Sequence, residues 1–537
     1  MIDQFKKNWK SGLSVALISV PLSLSLGIAA GATPMAGIIT AIWAGLVAGF
    51  VGGSQYNIVG PAGALSGILV AYSLQYTPAI LPFVAIGAGI LTLIVWLLRW
   101  DRYLIFIPSS VVHGFTLGVA FTIGFGQLNS ALGLSGLPAH ETLLENIIES
   151  FRHIGSLQLA AFIPFLIGLA ILFFILKKRP LWPNSIMVAI LGVLFGYASK
   201  IALIPLSIVT LGDKYPGLTL RLFSLPDTAS LFSVPALANL STLAVVTLIF
   251  KLSSVVAFVL VLETLISAKI ADGLTKTKFR QSREVLGVGL ANLVAGLFGG
   301  VPASGVFART AMNVRSGASS SASQVINAVF VALITFVLLP VFGYVPMSII
   351  AAILVYVASR MIVMNHFKKL YFYDKIAFST AVAVGILTVA YDATTGILVG
   401  TAAALLFLVN KMSVAQCNVT AGMKEPLTDN ADVVVYRFAG ELTYVNSKSH
   451  IEQLEKVAVG KALVLNFRSL FYIDLDGIEA LHEIVDRLET KGHQLYVTGV
   501  HGEVETLLAS EKWFGHLRSH GHVLSSTQEA LFLAKAA

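Results

Sequence analysis

The chain has 537 residues, of which 56% are hydrophobic and only 12% charged. Soluble domains run near a quarter charged, so this composition excludes a wholly soluble protein and assigns most of the chain to lipid. The net charge of +8 arises from basic residues in loops between apolar runs, which argues against a nucleic-acid surface, and the single Cys417 excludes an intrachain disulfide or a cysteine metal cluster.

A helix needs ~20 apolar residues to cross a bilayer, and on that length the chain reads as about fourteen segments. In chain order they are 11–31, 35–53, 60–76, 79–98, 104–130, 158–176 and 183–210, then 245–271, 284–299, 304–317, 323–343, 346–363, 376–391 and 395–411. The first run lacks a small-residue cleavage site, so no cleavable signal is expected. The 46 glycines suit helices that approach closely in a membrane. Seven segments per half force the halves into opposite orientations, an inverted repeat. Loop charge then sets the topology. With the N terminus inside, Lys6, Lys7, Lys10, Arg99, Arg102, Lys177, Lys178, Arg179, Lys276, Lys278, Arg280, Arg283, Arg360, Lys368 and Lys369 are all cytoplasmic. The outer loops hold only Arg152, Lys200, Lys214 and Arg221, diluted by acids.

The two halves share a short text. Leu46-Val-Ala-Gly-Phe-Val-Gly-Gly53 and Leu293-Val-Ala-Gly-Leu-Phe-Gly-Gly300 agree at six of eight positions, and each runs into a Pro/small-residue break, at Gly60-Pro61-Ala62-Gly63-Ala64 and Val301-Pro302-Ala303-Ser304-Gly305. Matched breaks in apolar segments of two halves point to the binding site of a secondary transporter. Non-helical backbone at membrane depth must be buried in protein or line a cavity.

Two ionisable residues lie beside these breaks. Glu263 sits ~18 Å along an apolar helix from Lys251, near mid-membrane, where a charged group is functional by default. Ser267, four residues on, shares its face. Arg309 is expected in the second turn of a half-helix opened by Ser304-Gly305. Helix N termini attract anions, and if segments three and ten point theirs at each other, Arg309 adds a full charge. Arg315 is expected at the cytoplasmic interface, His113 as a packed residue, and Asn292 and Gln127 as interhelical hydrogen-bonding residues. The 11 histidines show no metal-ligand spacing and no phosphate-loop spacing is present, so neither a metal, a cofactor nor ATP is expected, and no nucleophile–base pair argues for an enzyme.

Composition changes after Lys411. The expected organisation is a transmembrane domain over 1–411, a linker over 412–430 and a soluble α/β domain over 431–537. Strands are expected at 433–438, 461–467 and 494–498, with helices at 447–459 and 477–490. Asp474-Leu-Asp476-Gly477 falls between strand and helix, where an acid caps the helix start.

Several of these texts together resemble the SulP (sulfate permease-type) anion transporters: Gly12-Leu-Ser-Val-Ala-Leu-Ile-Ser-Val-Pro21, Val59-Gly-Pro-Ala-Gly63, Ala271-Asp-Gly273, Leu290 through Pro302, and Ala308-Arg-Thr310. The tail resembles their STAS domain, and the match covers nearly the whole chain. The resemblance implies a polytopic α-helical protein with core and gate domains in a 7+7 inverted repeat, elevator-like alternating access and a homodimer. It puts the anion at Ala62, Gly63 and Ala64 of segment three and at Ser304, Val306, Phe307 and Arg309 of segment ten. Leu22 and Ser23 line the pocket, and Glu263 and Ser267 match the acidic and hydroxyl positions of segment eight.

Cyanobacterial sodium-dependent members carry Asp at the Glu263 position and Thr at the Phe307 position. Glu263 therefore favours proton over Na⁺ coupling. Leu22 replaces a glutamine frequent in animal members, and Asp476 stands where related proteins carry a phosphorylatable Ser, so no phospho-switch is expected. The expectation is a multi-pass inner-membrane transporter of sulfate or bicarbonate, with N terminus and tail cytoplasmic, working by H⁺ symport or exchange. A C4-dicarboxylate carrier, a nucleobase permease of the same fold and a signalling scaffold acting through the tail are the alternatives.

Overall fold

The structure is a computed structural model that describes residues 2–106, 108–138, 143–178, 184–201, 203, 208–228, 237, 241–391, 393–421, 433–456 and 462–536. Each of the fourteen apolar segments contains a helix. In the first half these are α1 (Ile2–Ala29), α2 (Pro34–Val51), α3 (Gly63–Gln75), α4 (Ile80–Leu97), α5 (Ser109–Phe125), α6 (Leu159–Lys178) and α7 (Asn184–Lys200). In the second they are α8 (Thr242–Thr275), α9 (Gln281–Leu297), α10 (Phe307–Arg315), α11 (Ala322–Phe342), α12 (Met347–Met361), α13 (Lys375–Ala390) and α14 (Ala393–Met412). By length and composition, eight helical stretches among the described residues suffice to cross a membrane. Boundaries follow local chemistry: at the start of α2, Thr33 caps the Ala36 N–H and Pro34 occupies the first turn, where its missing N–H costs nothing.

Contacts divide the chain into two units, one running to Ala402 and one starting at Ala403, so the division falls inside α14. Within the first, α1–α4 pack with α8–α11, while α5–α7 pack with α12 and α13. The first half thus supplies four helices to one bundle and three to the other, and the second half supplies four and then α12 and α13, the core-and-gate arrangement expected for an inverted repeat. Close backbone approach builds the first bundle. A Cβ on Gly89 of α4 would stand 2.6 Å from the backbone N of Leu293 on α9, so any side chain there would part the helices.

The breaks read from the sequence at 60–64 and 301–305 overlap two short strands, β1 (Val59–Pro61) and β2 (Ala303–Gly305), which pair antiparallel with each other. The half-helices therefore start later than expected, at Gly63 and Phe307 rather than at 60 and 304.

The second unit is a five-stranded sheet in the order β3-β4-β5-β6-β7: Cys417–Ala421, Val433–Leu442, Ala462–Ile473, Gln494–Thr498 and Val523–Leu524. The β3–β4 pair is antiparallel and the other pairs are parallel. Strand β3 lies inside the stretch expected to be linker. The polar, turn-rich composition that suggested a linker belongs mostly to 422–432, which lie outside the described residues, as do 457–461. Helix Leu475–Thr490 is capped as expected, the Asp474 carboxylate accepting from the Gly477 N–H at 2.8 Å.

His450, on helix Ser447–Lys456, is completely buried in this unit, with Nδ1 2.8 Å from the hydroxyl of buried Tyr436 and its ring against Phe438. Burial holds its imidazole down at about 4, because the apolar surroundings disfavour the charged ring. The folded pKa lies below the unfolded value near 6.5, so the contribution to stability is complete above pH 6.5 and is lost as pH falls toward 4. The loss totals about 3 kcal/mol. Hydrogen exchange into β4 and β5 of the full-length protein should show most of it between pH 7 and 4.5, and a His450→Gln variant should lack that component. Equal pH dependence in both proteins would contradict the assignment.

Candidate functional site

Because β1 and β2 run antiparallel, the helices that follow them leave in opposite directions. Gly60 faces Ser304, with Val59 against Gly305 and Pro61 against Ala303. α3 begins two residues after β1, and α10 two residues after β2. Two helix N termini therefore meet at a buried two-stranded sheet. Their cap positions are occupied by Ala62 and Val306, and neither terminus has a side-chain cap. Ser, Thr, Asp or Asn would ordinarily accept from the free N–H groups there. The sequence withholds that acceptor at both ends.

Several backbone groups at the crossing are satisfied by side chains from the surrounding helices. Asn292 of α9 accepts from Ala303 N–H (2.8 Å) and donates to the Ala303 carbonyl (2.9 Å), replacing a missing strand partner. Thr40 of α2 accepts from Val301 N–H at 2.7 Å, and Thr264 of α8 accepts from Gly305 N–H at 2.9 Å. Gln324 of α11 donates to the Val59 carbonyl at 3.1 Å. Asn292, expected to bond between helices, instead bonds the strand backbone of the second break and the Val288 carbonyl of its own helix.

The expected site residues separate into groups. Ala62, Gly63 and Ala64 are buried at the cap and first turn of α3, while Val306 caps α10 and donates its N–H to Ile58 O at 2.8 Å. Ser304 is buried in β2, and its hydroxyl donates to the Glu263 carboxylate. Phe307 is 43% exposed at the first position of α10. Arg309 lies in the first turn of α10, not the second, because β2 delays the helix start. It is 2% exposed, donates through Nη2 to the Pro61 carbonyl at 3.3 Å, and keeps Nε without a protein partner. A Cβ on Gly60 would come within 2.8 Å of its Nη1, so any larger residue there would make the guanidinium shift. Ser267 shares a helix with Glu263 but turns elsewhere, donating 2.7 Å to Asn57 Oδ1 and lying 3.1 Å from the Thr310 hydroxyl. Leu22 and Ser23 are buried on α1, which packs against both α3 and α10, and the Ser23 hydroxyl has no protein partner. His113 packs as expected, its ring 3.7 Å from that of His366.

Glu284 is a functional candidate that sequence reasoning missed. At the start of α9, flanked by Arg280 and Arg283, it reads as an ordinary acid in a helix's first turn. In the structure it is 3% exposed. One oxygen accepts from Gly53 N–H and Ser54 N–H, both at 2.7 Å, and the other accepts from Asn57 Nδ2 at 2.7 Å. Asn57 in turn meets Ser267 and Thr310, whose hydroxyl accepts from Ile58 N–H at 2.9 Å, directly before β1. The Gly52-Gly53 text common to both halves ends on this carboxylate.

Residues 5–384 match the family model of the sulfate permease family, and residues 426–530 match the STAS domain. The chain belongs to the sulfate permease family, and with its apolar helices it is a multi-pass membrane protein carrying a C-terminal STAS domain. The putative sulfate transporter YvdB of Bacillus subtilis is 29% identical over 513 residues, covering 94% of both chains. The bicarbonate transporter BicA of a Picosynechococcus strain is 23% identical, covering 97% of this chain and 93% of its own. In fold, the chain is similar to the murine solute carrier 26 family member A9 anion transporter in the inward-facing state. That likeness has a TM-score of 0.83 at 16% identity and covers 100% of this chain and 92% of the other.

Removing the Glu284 carboxylate would leave two backbone N–H groups and one of the Asn57 amide hydrogens unpaired in a buried place, while that amide keeps its bond to the Thr264 carbonyl, each loss costing about 1–3 kcal/mol. Glu284→Ala should therefore destabilise the membrane unit by roughly 3 kcal/mol or more. A lowered thermal midpoint of the detergent-solubilised protein, seen as loss of the monodisperse chromatographic peak, checks this. An unchanged midpoint would show that the network is dispensable.

Proposed function

We propose that this protein is a secondary transporter of a small anion, with sulfate or bicarbonate the favoured substrates. The observation that carries the reading is the pair of uncapped helix N termini, at Ala62 and Val306, brought together by the β1–β2 pairing. Each offers free N–H donors and a positive dipole end. An anion held there by Gly63, Ala64 and Phe307 N–H groups would take the place of the missing caps. Arg309, buried one layer beneath through its bond to Pro61, adds a full positive charge to the site without having to touch the anion. The relatives named as sulfate and bicarbonate transporters support this class of substrate. A nucleobase reader would need acceptors and donors on facing side chains, and the two cap positions carry only Ala and Val.

Glu263 is proposed as the proton-carrying group. Its contact with Ser304 ties it to β2, so protonation of the carboxylate would be felt by the strand that sets α10 in place. In this reading fourteen segments are embedded in the inner membrane, the N terminus and the STAS domain are cytoplasmic, and the protein acts as a homodimer by elevator-like movement of one bundle against the other. A C4-dicarboxylate would satisfy the same donors and is distinguished only by uptake.

Proteoliposomes should accumulate labelled sulfate or bicarbonate under an inward proton gradient, and fumarate weakly or not at all. Glu263→Gln should abolish the dependence on the gradient. Arg309→Gln, which removes the charge and frees the Pro61 carbonyl, should lower kcat/KM by about tenfold or more. Exchange that ignores the gradient and is unaltered by Glu263→Gln would refute proton coupling. Full activity of Arg309→Gln would remove Arg309 from the site.

A further inference from the structure

The membrane unit also holds a cavity of about 340 Å³, built where the C-terminal ends of α1, α3, α5 and α13 converge with the short helices Leu143–Arg152 and Leu211–Lys214. With the N terminus of the chain inside, all four long helices end at the outer face, so the cavity is an outer one. Its wall includes Ser66, Gln127, Asn129, Asn146, Lys214 and Thr388. At its inner end, Ser66 lies three residues beyond Gly63, about 4.5 Å along the axis of α3 from the helix start. The cavity therefore runs from the outer surface to within one turn of the uncapped N terminus.

Its electrostatics are unusual. Four helix C termini present carbonyl ends there, a negative environment that would oppose an anion. Among the described residues Lys214 is the one charged residue in the wall. Its acidic neighbour is already engaged: the Asp213 carboxylate holds Lys200 Nζ at 2.5 Å, Thr210 N–H at 3.0 Å and the Thr210 hydroxyl at 2.8 Å. Glu149, on the neighbouring short helix, pairs with Arg152 and His153. Lys214 makes no ion pair among the described residues and is exposed. Side-chain amides of Gln127, Asn129 and Asn146 supply neutral dipoles around it.

We propose that this cavity is an outer receiving site for the transported anion, a small oxyanion or carboxylate, and that Lys214 is the residue that draws it in against the carbonyl ends. The proposal rests on the anion-transport reading and on its orientation. A charge at the mouth of a cleft raises the encounter rate of an oppositely charged ligand and is screened by salt. Lys214 should therefore govern KM for external anion and leave turnover unaltered.

Cys417 is the chain's only cysteine, so Lys214→Cys in a Cys417→Ser background gives a single thiol at this position. In proteoliposomes, Lys214→Gln should raise KM for external sulfate about threefold or more at low salt, with kcat retained, and the difference should shrink at high salt. Lys214→Arg should keep the parent KM. On Lys214→Cys, an impermeant trimethylammonium thiol reagent should restore KM and a sulfonate reagent should raise it further. Equal KM for the two adducts, or a fall in kcat alone, would overturn the proposal and leave Lys214 as a structural cap of the carbonyl ends. Protection of Lys214→Cys from N-ethylmaleimide by millimolar sulfate gives a readout independent of transport. Protection without uptake would keep the site and sink the transport reading, while uptake without protection would sink the site.

Discussion

A backbone that leaves the helix inside a membrane has no water to turn to, and each unpaired N–H or C=O there costs several kcal/mol. The two broken segments of this chain meet that constraint with each other. Three residues of one half pair with three of the other, across more than two hundred residues of sequence, and the ladder Val59–Pro61 against Ala303–Gly305 brings two helix starts face to face. The rest of the membrane unit is organised around that ladder.

Two strands of three residues cannot satisfy their own outer edges, so side chains act as the missing strands. Asn292 bonds both polar groups of Ala303, Gln324 takes Val59, Thr264 takes Gly305 and Thr40 takes Val301. These braces come from α2, α8, α9 and α11, all members of one bundle, so the crossing belongs to one body. Glu284 extends the same logic to the segment between α2 and β1, holding Gly53, Ser54 and Asn57. Against these braces, the two helix starts behind Ala62 and Val306 stand out as lacking any side-chain cap.

Much of this was legible in the sequence, because apolar length, loop charge and the repeated LVAG text are local properties. The fourteen segments, the alternation of the soluble unit and the Asp474 cap follow from such properties. The pairing of the breaks does not, since a three-residue strand carries no periodicity and its partner is chosen only by tertiary folding. The later helix starts, and with them the first-turn place of Arg309, follow from that pairing. Glu284 was hidden for a similar reason: an acid between Arg280 and Arg283 at a helix start looks solvated until its neighbours are known. Strand β3 was masked by the polar stretch that follows it. Lys214 entered the reading only as a dilute outer charge, and its neighbours Asp213 and Lys200 cancel each other only once Thr210 has folded them together.

The central claim is that the anion sits between the starts of α3 and α10. Selenate scatters anomalously and matches sulfate in shape and charge, so a selenate-soaked crystal of the protein tests the claim directly. The account predicts an anomalous peak within hydrogen-bonding distance of the Gly63 or Ala64 N–H groups and of the Phe307 N–H, weakened in Arg309→Gln. A strong peak elsewhere in the membrane unit, with none between these two helix starts, would contradict it.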